Sequence, residues 1–206
     1  MKNLVLSMFI ITIMIACNEK TEENTVTVVD TTHCTPITPE IDRELHAKLL
    51  VVPANMHEYN YFKQTMQRYA YDAQPASYGM RYSGKRRNFL VVTLLKPGEK
   101  VTVPYGIIQL KGHTEDMDWC FNQARENIAP GKTIVISGGC ESSRDVCLYA
   151  DMNIPAFTVD HIGRGPQNDY LVLQMQSLLQ DHTYAETLNI LKERAPQVMT
   201  AYLYPN

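Results

Sequence analysis

The chain has 206 residues, 19 basic and 22 acidic side chains, a formal charge of −3, and apolar residues at 45 % of its positions. A near-neutral balance excludes a general nucleic-acid binder, which needs a strongly basic surface to neutralise phosphates. The apolar content and the length are those of a globular chain with one core.

Residues Met1 to Ala16 read MKNLVLSMFIITIMIA: one lysine, then an almost unbroken apolar run. The run is shorter than the roughly 20 apolar residues a membrane-spanning helix needs, and its basic start and small last residue are those of a signal peptide. Its end, Met14-Ile15-Ala16-Cys17, resembles a bacterial lipobox, with Met14 where leucine is usual. That resemblance implies cleavage before Cys17, acylation of its thiol with palmitate or a similar chain, and residence in the cell envelope. Asn18 after the cysteine is similar to lipoproteins sent to the outer membrane. The alternative is an ordinary cleaved signal in which Cys17 is incidental.

Beyond Cys17 the chain turns polar and acidic, Asn18-Glu19-Lys20-Thr21-Glu22-Glu23, with no apolar periodicity, the composition of a flexible tether over 17–45. A single α/β domain is expected over 46–206. Lys48 to Val52 is a short apolar run stopped by Pro53, a buried strand. Tyr59, Phe62, Met66 and Tyr69 recur at helical spacing. Tyr71 to Arg87, with Pro75, Gly79, Gly84 and the basic run Lys85-Arg86-Arg87, is expected to be a loop ending in a solvated turn.

Phe89 to Leu95 is the clearest strand; Lys96-Pro97-Gly98-Glu99 turns the chain, and Val101 to Val103 is expected to return as a hairpin. Ile107 to Lys111 is another strand, followed by a helix with Met117, Cys120, Phe121, Ala124 and Ile128 on one side and Thr114 placed to cap it. Thr133 to Ser137, a helix from about Ser142 to Met152, and Pro155 to Val159 continue the alternation. Two more helices follow, the first lined by Leu171, Met175 and Leu178, the second opened by a Thr183/Glu186 capping box. Strands alternating with helices imply a mostly parallel sheet with helices on both faces.

Ligands of such sheets gather beyond the carboxyl ends of the strands. Two residues with reactive side chains fall there, His113 after Ile107–Lys111 and Cys140 after Thr133–Ser137. A thiol attacks as thiolate, and a nearby imidazole or helix N-terminus promotes that form. Cys140 precedes a helix, and His113 is near if the two strands are neighbours. The glycines before Cys140 would let a substrate approach.

The blocks Ile107-Ile108-Gln109-Leu110-Lys111-Gly112-His113 and Thr133-Ile134-Val135-Ile136-Ser137-Gly138-Gly139-Cys140 resemble the paired motifs of caspase-like cysteine peptidases, the group of caspases, legumain, clostripain and gingipain. The resemblance covers roughly residues 48–180 and implies a caspase-like three-layer sandwich. It implies a His113–Cys140 dyad cutting a peptide or protein substrate, with backbone N–H groups near Thr114 and Gly139–Cys140 holding the oxyanion. It also implies a substrate-binding loop after Pro155–Val159, where Asp160, His161 and Arg164 stand. The family has glycine after its histidine; here Gly112 precedes His113 and Thr114 follows it.

Two other readings stand beside this one: a non-catalytic envelope binding lipoprotein of the same fold, and a nucleotide or small-ligand domain using Gly138-Gly139 at a helix start. No cofactor is implied. No metal is expected, because His46, His57 and His182 show no ligand spacing with each other or with the cysteines. Cys34, Cys120, Cys140 and Cys147 remain beyond Cys17, and in an oxidising compartment Cys140 competes for a disulfide with Cys147 or Cys120.

Overall fold

A computed structural model describes residue 34 and residues 37–160 and 165–204. Cys17 and the signal and tether segments, apart from the residues just named, lie outside these described residues, as do His161 and Arg164.

The first long strand, β1 (Lys48–Pro53), is covered on both sides, with Leu49, Leu50 and Val51 fully buried, as a continuous apolar run requires. It follows a single helical turn, α1 (Arg43–His46), capped by Asp42. Asn55 then caps α2 (Met56–Met66) by accepting from the N–H groups of His57 and Glu58. Tyr59, Phe62 and Met66 are the buried stripe of α2.

Where a loop was expected, Tyr71–Ala76 and Gly79–Gly84 form an antiparallel hairpin, β2 and β3. The basic run after it is tied down: Lys85 pairs with Asp72, and Arg87 bonds to Asp181 and to the Ser177 carbonyl. Strand β4 (Val91–Leu95) pairs antiparallel with β3 and parallel with β1. A side chain at Gly79 would meet the Leu94 carbonyl oxygen at 2.2 Å, so only glycine closes this hairpin against β4.

Val101 to Val103 forms no strand; its role is to offer carbonyls, those of Val101 and Val103 each accepting from Asn127 Nδ2 at 2.8 Å. Strand β5 (Ile107–Lys111), α3 (Met117–Ala124), β6 (Ile134–Ser137), α4 (Val146–Asp151) and β7 (Ala156–Val159) continue the alternation. Then come α5 (Gly165–Leu178), α6 (Tyr184–Arg194) with the Thr183/Glu186 capping box, α7 (Pro196–Met199) and the short antiparallel β8 (Tyr202–Leu203).

The sheet order is β2-β3-β4-β1-β5-β6-β7-β8, parallel from β4 through β7. The protein is thus an α/β domain on a mostly parallel mixed sheet. Neighbouring residues of a strand point opposite ways, and they enter different apolar clusters: Leu49 and Val51 join side chains of α2, α5, α6 and α7, while Leu50 and Val52 join those of α3 and α4. No helix of the described residues is long and apolar enough to cross a membrane.

His46, fully buried before β1, meets the Asp42 carbonyl at 2.7 Å through Nδ1 and the Lys132 carbonyl at 3.0 Å through Nε2. Burial outweighs these two contacts and lowers its pKa below the ordinary 6.5. The folded state therefore binds this proton less readily than the unfolded chain does. The His46 contribution is present above pH 6.5 and is lost as pH falls through the lowered folded value. Urea titrations should show stability declining below that pH, and His46→Gln should remove this component of the slope; an unchanged slope would contradict the assignment.

Candidate functional site at the carboxyl edge of the sheet

The chain leaves β1 for α2, in one apolar cluster, and leaves β5 for α3, in the other, although β1 and β5 are paired. Divergence of that kind between adjacent parallel strands opens the crevice where α/β proteins place their ligands. His113 stands two residues beyond the end of β5, at this edge of the sheet.

Strands β5 and β6 are paired in parallel, with Leu110 opposite Ser137, and Gly138 N–H continues the ladder to Leu110 C=O at 3.1 Å. His113 and Cys140 each lie three residues beyond the Leu110/Ser137 pair. The two reactive residues therefore leave the same edge of the sheet on neighbouring strands. A direct bond joins the two exits: Thr114 Oγ1 donates to Cys140 C=O.

The β5 exit is held by its backbone. Lys111 C=O accepts from Ala54 N–H at 2.7 Å, His113 N–H donates to Asp116 Oδ2 at 2.9 Å, and Asp116 N–H returns to His113 C=O at 3.0 Å. Thr114 was expected to cap the helix; instead Thr114–Asp116 forms a 3₁₀ turn before α3, closed by the His113–Asp116 bonds, and the threonine hydroxyl is turned to Cys140. The His113 side chain is exposed.

The β6 exit is a tight turn. Glu141 adopts φ +56°, left-handed and unfavourable for a residue with a side chain by about 1 kcal/mol. Ser142, fully buried, holds this turn by donating to Ser137 C=O at 3.1 Å and accepting from Val159 N–H at 2.9 Å. The expected helix from Ser142 is a 3₁₀ turn over Ser142–Asp145, and α4 begins only at Val146. The helix terminus expected to assist the thiol is thus several residues away.

The two glycines serve a different purpose from the one expected. A Cβ on Gly138 would lie 3.0 Å from Asn168 Nδ2, and one on Gly139 would lie 2.7 Å from Met117 Cγ and 3.3 Å from Thr114 Cα. They admit the protein's own elements rather than open space. Gly139, expected among the oxyanion donors, is buried. Asp160 follows β7 at the same edge, exposed, with its N–H donating to Ala201 C=O at 3.1 Å.

The cysteines divide cleanly. Cys34 and Cys147 form a disulfide, with Cα atoms 5.3 Å apart, whereas Cys140 and Cys120 carry free thiols. The pairing of Cys140 with Cys147 or Cys120, which would have silenced it, does not occur. Cys140 is half-buried; Cys120 is fully buried, 3.8 Å from Lys111 C=O, and burial pushes its thiol up to about 12.

A buried charged cluster beside the β5 exit was missed by the sequence reading. Lys111 Nζ donates to Asp169 Oδ1 at 2.7 Å and lies 3.9 Å from Glu58; Gln109 Nε2 donates to the same Asp169 oxygen at 2.8 Å. Lys111 and Asp169 are 4 % and 0 % exposed, so this is a pair removed from water, and deleting one member would cost about 3–5 kcal/mol. Next to Asp169, Asn168 accepts from the Tyr202 hydroxyl. The available signal was a glutamine and a lysine interrupting the apolar strand Ile107–Lys111.

A separate cavity of about 580 Å³ lies between residues 38–43 and α6, lined by Pro39, Ile41, Tyr184 and Leu188 among others, and includes neither His113 nor Cys140. No group of three or more His, Cys, Asp or Glu side chains among the described residues is placed to hold a metal ion. In comparisons with known proteins, no family, no curated protein and no solved structure matches the chain.

Treatment of the folded, unreduced protein with iodoacetamide, followed by peptide mass spectrometry, should modify Cys140, leave Cys120 unmodified, and recover Cys34 and Cys147 as one cross-linked peptide. A cross-link that includes Cys140 would overturn the site.

Proposed function

We propose that the chain is a caspase-like cysteine peptidase, a three-layer α/β sandwich carried as a lipoprotein of the cell envelope, with a peptide or protein as substrate. The observation that supports this most strongly is the in-register β5–β6 pairing, which brings the His113 and Cys140 segments out side by side, bonded through Thr114, while the Cys140 thiol stays free. Neither residue alone argues for catalysis; the pair does.

In this reading His113 takes the proton of Cys140, and the thiolate sulfur attacks the scissile carbonyl carbon. The tetrahedral oxyanion is held by backbone N–H groups near Thr114 and Cys140. As the C–N bond breaks, the imidazolium returns its proton to the leaving amine. Water, deprotonated by His113, then splits the thioester, releasing the acid product and restoring the thiol. Asp160, His161 and Arg164, in the segment after β7, are the proposed substrate contacts.

A binding role without catalysis is the second reading, and the burial of Gly139 under Met117 and Thr114 favours it, since an oxyanion donor must face the reacting carbonyl. Cleavage of a peptide library separates the two. Wild-type protein should cut, and Cys140→Ala and His113→Ala should each lose at least about 100-fold in kcat/KM. Full activity in Cys140→Ala would exclude the nucleophile; a folded wild type that binds peptides without cutting them would establish the second reading.

Anchoring is a separate proposal resting on Cys17. Cys17→Ser should abolish palmitate incorporation and move the protein from the membrane fraction to the soluble fraction. Labelling that survives the substitution would contradict it.

A further inference from the structure

We infer that the first turns of α5, through Asp169 and Asn168, form a buried brace that sets the relative position of the His113 and Cys140 segments, making Asp169, Lys111 and Tyr202 positioning residues for that pair. The inference rests on the reading of His113 and Cys140 as a reacting pair.

One arm of the brace holds β5. Asp169 Oδ1 accepts from both Gln109 and Lys111, at 2.8 and 2.7 Å, alternate residues of the strand that leads to His113. The aromatic rings of Tyr61 and Phe62 flank Lys111 Nζ, with centroids at 5.4 and 5.6 Å, so the ammonium is confined among α2, β5 and α5. Lys111 C=O in turn takes Ala54 N–H, tying the same residue to the end of β1.

The other arm holds β6. Asn168 packs on Gly138 so closely that a Cβ there would be 3.0 Å from Nδ2, and Tyr202 of β8 fixes Asn168 through its hydroxyl. Consecutive residues of one helix thus bear on both strand exits, two residues before His113 and two before Cys140. Farther along α5, Gln176 Nε2 donates to Ala47 C=O at 2.8 Å and Val91 C=O at 2.9 Å, bolting the helix to the opposite end of the sheet. The brace has a fixed base.

An apolar pair of similar volume generally serves stability as well as a buried ion pair does. What the ion pair adds is direction, because charge-assisted hydrogen bonds constrain geometry where dispersion contacts do not. That difference supplies the test. The Lys111→Met/Asp169→Leu double variant removes both charges together and leaves neither buried unpaired.

The measurement is the rate of Cys140 alkylation by iodoacetamide at pH 7, read by peptide mass spectrometry with buried Cys120 as the internal control and thermal melting alongside. His113→Ala reports what the imidazole contributes and should slow Cys140 alkylation about tenfold. The double variant should melt cooperatively, keep Cys120 unreactive, and slow Cys140 by a similar factor. Local loosening would expose Cys140 and speed alkylation, so loosening alone does not account for a fall.

Tyr202→Phe, which deletes one hydrogen bond, should slow Cys140 about threefold and decides the matter if the double variant does not fold. A folded double variant, or failing that Tyr202→Phe, with Cys140 as reactive as wild type or more so overturns the brace. Slowing in His113→Ala alone would keep the dyad and overturn the brace; slowing in these variants but not in His113→Ala would overturn the dyad, and with it the positioning role that rests on it.

Discussion

The pairing of β5 with β6 is the constraint on which the candidate site depends. Parallel strands that share a register end at the same edge, so the segments that follow a paired position leave the sheet side by side. Here the shared position is Leu110 and Ser137, and the residues three places on are His113 and Cys140. A slip of one residue would change that distance and turn alternating side chains to the wrong cluster. Ile134 and Ile136 are fully buried in one cluster and Val135 in the other, which makes such a slip costly.

Around this pairing the protein spends polar groups in places where apolar ones would suffice for packing. Ser142 links β6 to β7, Thr114 links the two exits, and α5 places Asn168, Asp169 and Gln176 against the sheet. Thr114 and Ser142 make their bonds where the backbone departs from regular strand and helix, whereas the α5 groups reach the sheet from a regular helix. The left-handed Glu141 lies between two of them, at Cys140 and Ser142, and persists because its neighbours are held on either side. The Cys34–Cys147 disulfide adds a covalent tie between the amino-terminal segment and α4, across 113 positions of sequence. A bond closing so long a loop stabilises by several kcal/mol in the chain-entropy account, about 4–5.

Elements with a strong apolar period were legible in the sequence. Strands β1, β4, β5, β6 and β7 and helices α2, α3, α5 and α6 stand close to where their patterns put them, since continuous apolar runs and helical stripes have few alternative burials. The hairpin Tyr71–Gly84 was not legible: β2 is an edge strand, mostly exposed and carrying Pro75, so it shows no alternation to detect. The 3₁₀ turns after His113 and Cys140 were also hidden, because Ser, Asp and Thr near a helix start signal a cap without specifying the turn. Positions of His113 and Cys140 followed from strand ends, but the Lys111–Asp169 pair joins residues 58 apart in sequence, and no local pattern reveals such a partner. Cys34 and Cys147 raise the same difficulty, since even a complete cysteine count leaves the connectivity open.

On the proposed reading, Cys140 and His113 act on one substrate carbonyl. The most direct measurement is covalent trapping by a library of peptidyl chloromethyl ketones, read by intact mass and peptide mapping in wild type and His113→Ala. One adduct per chain is expected, on Cys140, formed at a rate that depends on the peptide and collapses without His113. An adduct rate indifferent to peptide sequence and to His113, or labelling elsewhere than Cys140, would contradict it.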